Sequence, residues 1–285
     1  MEFIPRHEPL SWKQTQFLLA ALHKSPQKKW GQNFLIDKNI VLKSLEFAQL
    51  SPNENVIEIG PGLGTLTRPM LGKPCRIFAI ECDAVLCTFL KTTFADVPHF
   101  QICLGDAVAQ PLAGFSQFDE PFKVVANLPY NIATPWMNAI LEQSQLPQTM
   151  TLMLQKEAAY RFFASPDSKA LAPIAIFLTS AYRRTAVFPV ARHSFSPIPK
   201  VDSVIIHLER LPTPKIFRKE TKALIRRLFT QRRKQMGTLI KTCFPELLEL
   251  TTALCSKHHL TLSARPEQLP LPFWWDFDVS LTYTY

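Results

Sequence analysis

The sequence predicts an α/β fold: a seven-stranded, mostly parallel sheet wound with helices, followed by a small helical domain. Three observations carry this. Short β-branched or apolar runs alternate with helical stretches through the first two hundred residues, two further runs lie close together and alternate in polarity, and the last seventy-five residues hold helical periodicity without a convincing strand. The parallel runs are NVIEIG (55–60), CRIFAIE (75–81), HFQICLG (99–105), FKVVANL (122–128) and MTLMLQ (150–155). RTAVFPV (184–190) and DSVIIHLE (202–209) read as an antiparallel addition at one edge. LPTP at 211–214 stops whatever precedes it, so the boundary is drawn there. The expected organisation is a leader over 1–30 with an amphipathic helix in SWKQTQFLLAALHK, a sheet domain over 31–210 and a helical domain over 211–285.

Composition bounds the function. The chain has 285 residues, 47% of them hydrophobic, enough to bury a sizeable core. It has no uninterrupted apolar run of eighteen residues, and its first residues, MEFIPRHEPLSWKQ, lack the layout of a signal peptide. A cytoplasmic protein with no membrane partner is expected. The six cysteines form no CxxC pair, which predicts reduced thiols and no metal site. The formal charge of +9 favours a polyanionic partner. KIFRKETKALIRRLFTQRRK, residues 215–234, sets nine Lys or Arg against one Glu; it reads either as a solvated helix face or as a stripe that packs on one side and meets phosphates on the other.

Three of the eight glycines fall in GPGLG (60–64), between the first strand and the first helix of the sheet domain. The GxGxG spacing lacks the third glycine of a dinucleotide fingerprint, and no GK[ST] follows, so nucleotide phosphates are disfavoured. Glu81 ends the second strand, where a carboxylate can accept both hydroxyls of a ribose. Asp106 follows the third. Either acid alone reads as a helix cap; together with the glycine turn they describe a pocket for an adenosine without phosphates, and S-adenosylmethionine is the expected cofactor.

NLPYNIATP (127–135) closes the fourth strand. Asn127 offers a side-chain carbonyl, Pro129 holds Leu128 extended, and Tyr130 adds a flat face. Two carbonyls converging on one point suit the exocyclic amine of a planar base. Accepting its hydrogens localises a lone pair otherwise spread into the ring, which prepares attack on a sulfonium methyl without a strong general base.

With these residues in view, the chain from about residue 27 to 236 resembles the ribosomal RNA adenine N6,N6-dimethyltransferase family. The resemblance rests on QKKWGQNFLID, IEIGPGLGTLT, AIECD, LGDA, NLPYNIATP, LMLQKEAAYRF, FSPIPKVDS and TQRRK, which occur in the family's order. It implies a Rossmann-like methyltransferase sheet, a cofactor held by Asn33, Leu35, Gly60, Gly62, Glu81, Asp106 and Asn127, and a target amine held by Asn127 and the Leu128 carbonyl beside Pro129. It also implies a base sandwiched by Tyr130 and Phe195. Lys200, Arg226, Arg227, Arg232, Arg233 and Lys234 would contact RNA. The implied reaction places two methyls on each of two adjacent adenosines in the 3′-terminal hairpin of small-subunit ribosomal RNA, within a pre-ribosomal particle and as a monomer. A large-subunit methylase of the antibiotic-resistance type and a non-catalytic assembly factor are the alternatives. Two departures are visible: SPDSKALAPIAIF lacks the tyrosine and glycine that usually follow SKA, and Ile198 replaces a common proline in FSPIPK. The aromatic tail LPLPFWWDFDVSLTYTY matches weakly, leaving Trp274 and Trp275 as core or as a stacking surface.

Overall fold

A computed structural model describes residues 4–27, 31–114 and 121–281 of the protein. Lys28, Lys29 and Trp30 of the leader motif and the last four residues of the aromatic tail lie outside the described residues. The strands are β1 (Phe34–Leu35), β2 (Asn55–Ile59), β3 (Arg76–Glu81), β4 (Phe100–Leu104), β5 (Phe122–Asn127), β6 (Thr149–Gln155), β7 (Tyr182–Val190), β8 (Phe195–Ser196) and β9 (Ser203–Arg210). Seven of them form one sheet in the order β4-β3-β2-β5-β6-β9-β7, and β1 pairs with β8 separately. β4, β3, β2, β5 and β6 run parallel. β9 runs antiparallel to β6, with Thr149 opposite Glu209 and Gln155 opposite Ser203. The seven strands fall where the apolar runs predict them, to within two residues. The antiparallel pair is inserted in reverse order: the later strand β9 joins β6, and β7 takes the outer edge.

β2 is buried at all five positions, and β5 and β6 are nearly so, as expected of parallel strands covered on both faces. Val56, Ile77, Ala79, Val125, Met153 and Ile205 share one core with Val41 and Ala48 of the helix Lys38–Ala48 and with Leu90 of the helix Ala84–Thr93. Both helices begin on an aspartate that accepts a main-chain N–H of its own first turn: Asp37 from Asn39 and Asp83 from Val85, each at 3.0 Å. The leader forms the expected helix, Trp12–Ala21, closed by a capping box between Ser11 and Gln14. Its Leu18 and Leu19, with Leu10, pack in a second core with Phe34, Leu63 and Leu86.

The chain divides into two compact units, one of Met1–Ala159 and Arg183–Arg210, the other of Tyr160–Tyr182 and Leu211–Tyr285. The second therefore takes in an excursion from the sheet, including the helix Pro173–Thr179, besides the C-terminal helices Lys219–Phe229, Met236–Cys243, Leu248–Lys257 and Leu271–Ser280. Its centre is aromatic. Phe273, Trp274 and Phe277 are inaccessible to solvent, and the Trp274 ring meets those of Phe273 and Phe229 at 5.4 and 6.3 Å between centroids. Trp275 donates its indole N–H to Ser180 Oγ at 2.9 Å, and Lys215 Nζ stands 4.1 Å over its ring. The tail is core. No helix among the described residues is long and apolar enough to cross a membrane.

Candidate active site

The sheet order reverses beside β2: β3 and β4 are added on one side, β5 and β6 on the other. Loops leaving the carboxyl ends of β2 and β5 must diverge there, and the crevice between them is where open α/β sheets take ligands. A cavity of about 360 Å³ occupies that place. The ends of β2, β3, β4 and β5 supply Gly60, Glu81, Asp106 and Asn127 to its lining, and residues 31–35 of the leader close it from the side.

The glycine turn is left-handed at Gly60 and Gly62 (φ +65° and +60°), a conformation other residues rarely adopt. A Cβ at Gly62 would stand 3.3 Å from the Phe34 ring. Gly62 itself does not line the cavity. Its N–H donates to Glu81 Oε2 at 3.0 Å, so Gly62 aims that carboxylate.

Glu81 is 4% exposed, and its Oε1 accepts the Asp83 N–H at 3.0 Å. Burial pushes its pKa above the usual carboxylate range, while the Asp83 and Gly62 N–H groups oppose the shift. Oε1 also accepts from the Cys82 thiol at 3.6 Å, a weak donor that a ligand hydroxyl can displace, whereas Oε2 keeps one of its two lone-pair directions free. Asp106 is held in an Asx turn, its Oδ1 accepting the Val108 N–H at 2.8 Å.

Two further lining residues, Glu58 and Cys82, escaped sequence reasoning. Glu58 points from the middle of β2 and is 1% exposed; Thr67 Oγ1 donates to its Oε2 at 2.7 Å. Burial pushes its pKa up to about 8, against the Thr67 hydrogen bond and with help from the Glu81 charge. An acid inside an otherwise apolar strand was the available signal. The Cys82 thiol is pushed up to about 11, burial being the largest cause. All six cysteines are free.

On the other side of the cavity, Asn127 ends β5 half-buried. Its Nδ2 donates to the main-chain oxygen of Asn33 at 3.5 Å, which leaves Oδ1 as an acceptor. Asn33 is itself tied back through Nδ2 to the Gly31 oxygen at 3.1 Å. The Leu128 N–H donates to Met153 O on β6, and the Pro129 oxygen accepts from Ile132, turning the chain into the helix Ala133–Ile140. Tyr130 Oη and Ser203 Oγ share a hydrogen bond of 2.7 Å. Burial pushes the phenol pKa up, opposed by that bond.

The structure thus gathers Asn33, Leu35, Gly60, Glu81, Asp106, Asn127, Leu128, Pro129 and Tyr130 around one cavity. Phe195 stands apart from these: it pairs with Leu35 across β1 and β8, is 1% exposed and belongs to the core with Val41, Val190 and Ile205. Of the basic residues, Lys200 is exposed on the first unit, while Arg226, Arg227, Arg233 and Lys234 are exposed on the second. Arg232 differs: half-buried, it pairs with Glu267 (3.3 Å) and donates to Leu171 O (3.1 Å). No cluster of metal-ligating side chains occurs among the described residues.

Sheet order, glycine turn and carboxylate at the end of the second sheet strand define a Rossmann-like methyltransferase. The chain belongs to the ribosomal RNA adenine dimethylase family, whose model matches residues 23–264. It is thereby an enzyme that methylates adenine in ribosomal RNA. Among its relatives, a ribosomal RNA small subunit methyltransferase A from Opitutus terrae is 44% identical over 269 residues, covering 93% of this chain and 97% of the relative. One from Lactobacillus helveticus is 37% identical, covering 90% and 92%. The fold is also that of a dimethyladenosine transferase crystal structure from Plasmodium falciparum, with a TM-score of 0.72 at 23% identity over 88% of this chain and 98% of that one.

Proposed function

We propose that the enzyme draws on S-adenosylmethionine and dimethylates N6 of two adjacent adenosines in the 3′-terminal hairpin of small-subunit ribosomal RNA, acting as a cytoplasmic monomer on a pre-ribosomal particle. The residues present fit that cofactor. Glu81 Oε2 keeps a lone pair and Oε1 one shared only with the weak Cys82 thiol for a diol, Gly60 itself carries no side chain into the cavity, and no lysine or arginine is among the described lining residues to neutralise a phosphate. When bound, S-adenosylmethionine supplies an electrophilic methyl on a sulfonium. The small-subunit target is supported by the names of the relatives at 44% and 37% identity.

The observation that carries the mechanism is the orientation of Asn127. With its Nδ2 turned toward Asn33 O, its Oδ1 accepts a hydrogen of the adenine amine, and the Leu128 carbonyl accepts the other. The nitrogen lone pair is then held out of the ring and along the line of attack. The methyl's bond to sulfur would break as the N–C bond forms, leaving a neutral thioether, and the acidified nitrogen's proton would pass to solvent, so that Asn127 and Leu128 have only to hold and aim the amine. Tyr130, steadied by Ser203, gives the base one flat face. Lys200, Arg226, Arg227, Arg233 and Lys234 grip phosphates, supplying register while the cavity supplies chemistry. An adenine must leave its stack to enter, which costs least in a hairpin loop. Mass-spectrometric mapping of methylated adenosines on unmethylated small-subunit particles, incubated with the protein and labelled cofactor, tests the reading; label confined to large-subunit RNA, or none, overturns it.

A further inference from the structure

Lys24 lies just beyond the leader helix, and its ammonium meets Asp83 Oδ2 at 2.7 Å. The pair is withdrawn from water, with side-chain exposures of 18% and 2%. Gln32 Nε2 reaches the same oxygen at 3.5 Å, and Gln32 Oε1 accepts the Gln27 N–H at 2.9 Å. Asp83 Oδ1 accepts the Val85 N–H, and the Asp83 N–H donates to Glu81 Oε1 at 3.0 Å. One buried carboxylate therefore gathers the leader, the cavity-lining Gln32 and the start of a helix, and its own backbone grips the acid that faces the cavity. Burial alone would disfavour the charge on Asp83; the Lys24 hydrogen bond and the Val85 N–H outweigh it and hold the carboxyl below its ordinary range.

From this chain of contacts we infer that Lys24 is a positioning residue for the ribose: through Asp83 it fixes the Glu81 carboxylate, so that recognition of the cofactor's hydroxyls depends on a leader residue that never touches the cofactor. The inference rests on the proposed reading of Glu81 as the diol acceptor. Without the ammonium, Asp83 is a buried charge lacking its counterion; it takes up a proton or swings toward water, and in either case the peptide that donates to Glu81 Oε1 shifts. A hydroxyl held by a carboxylate loses most of its contribution when the acceptor is misaligned by a fraction of an ångström.

The test measures, by calorimetry on the full chain, the dissociation constants of S-adenosylhomocysteine and of its 2′-deoxy and 3′-deoxy counterparts. The parent protein should favour the diol over either deoxy compound by roughly tenfold or more, the size of a hydrogen bond to a charged group. Lys24→Met and Asp83→Asn should each reduce that preference about threefold or more, their combination should do no worse than Asp83→Asn alone, and Lys24→Arg should restore it. A merely structural loosening weakens all three ligands alike and leaves the ratio untouched; that result, with melting temperatures near the parent's, overturns the inference. Glu81→Gln separates the two levels. If it keeps the preference, the ribose assignment of Glu81 fails; if it abolishes the preference while Lys24→Met does not, only the role of Lys24 fails. Should Lys24→Met not fold, Asp83→Asn, which keeps the side chain's shape, is read by the same ratio.

Discussion

Asn127 and Asn33, ninety-four residues apart, are joined by a hydrogen bond from the side-chain amide of the first to the main-chain oxygen of the second. That bond decides which end of the Asn127 amide faces the cavity. Replacing Asn127 by Asp puts a carboxylate oxygen against the Asn33 carbonyl, so the side chain turns and the acceptor is displaced. Methyl transfer measured at saturating cofactor should fall by about a hundredfold or more, comparable to losing one fixed dipole at a transition state, with melting close to the parent's. Labelled-methyl incorporation measures it. Near-normal turnover by both Asn127→Asp and Asn127→Ala would remove this amide from the mechanism.

Glu58 gives stability a pH dependence whose sign is fixed by its environment. Its pKa rises from an ordinary 4.5 to about 8 in the folded protein. Below 4.5 the group is neutral whether the chain is folded or not, and nothing is lost. Between about 4.5 and 8 the unfolded chain releases a proton that the folded one retains, so folding weakens by about 1.4 kcal/mol for each pH unit across that window. Glu58→Gln keeps an acceptor for Thr67 and cannot ionise, so urea unfolding at pH 5, 6.5 and 8 should show a flatter decline for the variant. Parallel profiles would mean that Glu58 ionises freely in the fold.

The parts of this site that sequence made legible are those where backbone geometry restricts the residue. Glycines at left-handed positions, a proline after a strand and acids at strand ends are visible because strand, turn and helix follow at short range. What was hidden depends on pairing at long range. The family resemblance gives Phe195 a place beside a base, while its burial follows from the pairing of β8 with β1, across a hundred and sixty residues, and nothing local announces that register. Arg232 and Arg233 are equivalent in sequence, yet only the first meets Glu267. The exchange of β7 and β9 in the sheet is likewise a property of the crossover, which strand periodicity does not encode.

Tyr130 and Ser203 form a pair whose contribution can be isolated. Removing either hydroxyl leaves the other partly buried without its partner, at about 1 kcal/mol of stability. If the bond steadies the ring for the base, Tyr130→Phe and Ser203→Ala should each raise the KM for RNA severalfold, and the double variant should do no more than either one. A double-mutant cycle on KM measures the coupling. Additive effects would separate the hydroxyls from each other and leave Tyr130 acting through its ring alone.

The basic residues after the helix Lys219–Phe229 should split into two kinds under one experiment. Arg233 and Lys234 are exposed, whereas Arg232 is bound to Glu267 and the Leu171 carbonyl. Charge removal at an exposed phosphate contact weakens RNA binding and lowers the slope of log affinity against log salt by roughly 0.7–0.9 per contact, without touching the fold. Arg233→Ala with Lys234→Ala should therefore flatten the salt dependence at an unchanged melting temperature. Arg232→Ala should do the reverse: melting falls, because Glu267 loses its counter-charge and Leu171 its donor, and the slope stays near the parent's once measured below the transition. Filter binding at four salt concentrations, paired with thermal unfolding, reads both quantities. An unchanged slope in the Arg233 and Lys234 variant would take this turn out of the RNA footprint, and a steep loss of slope in Arg232→Ala would show that its salt bridge opens to make way for a phosphate.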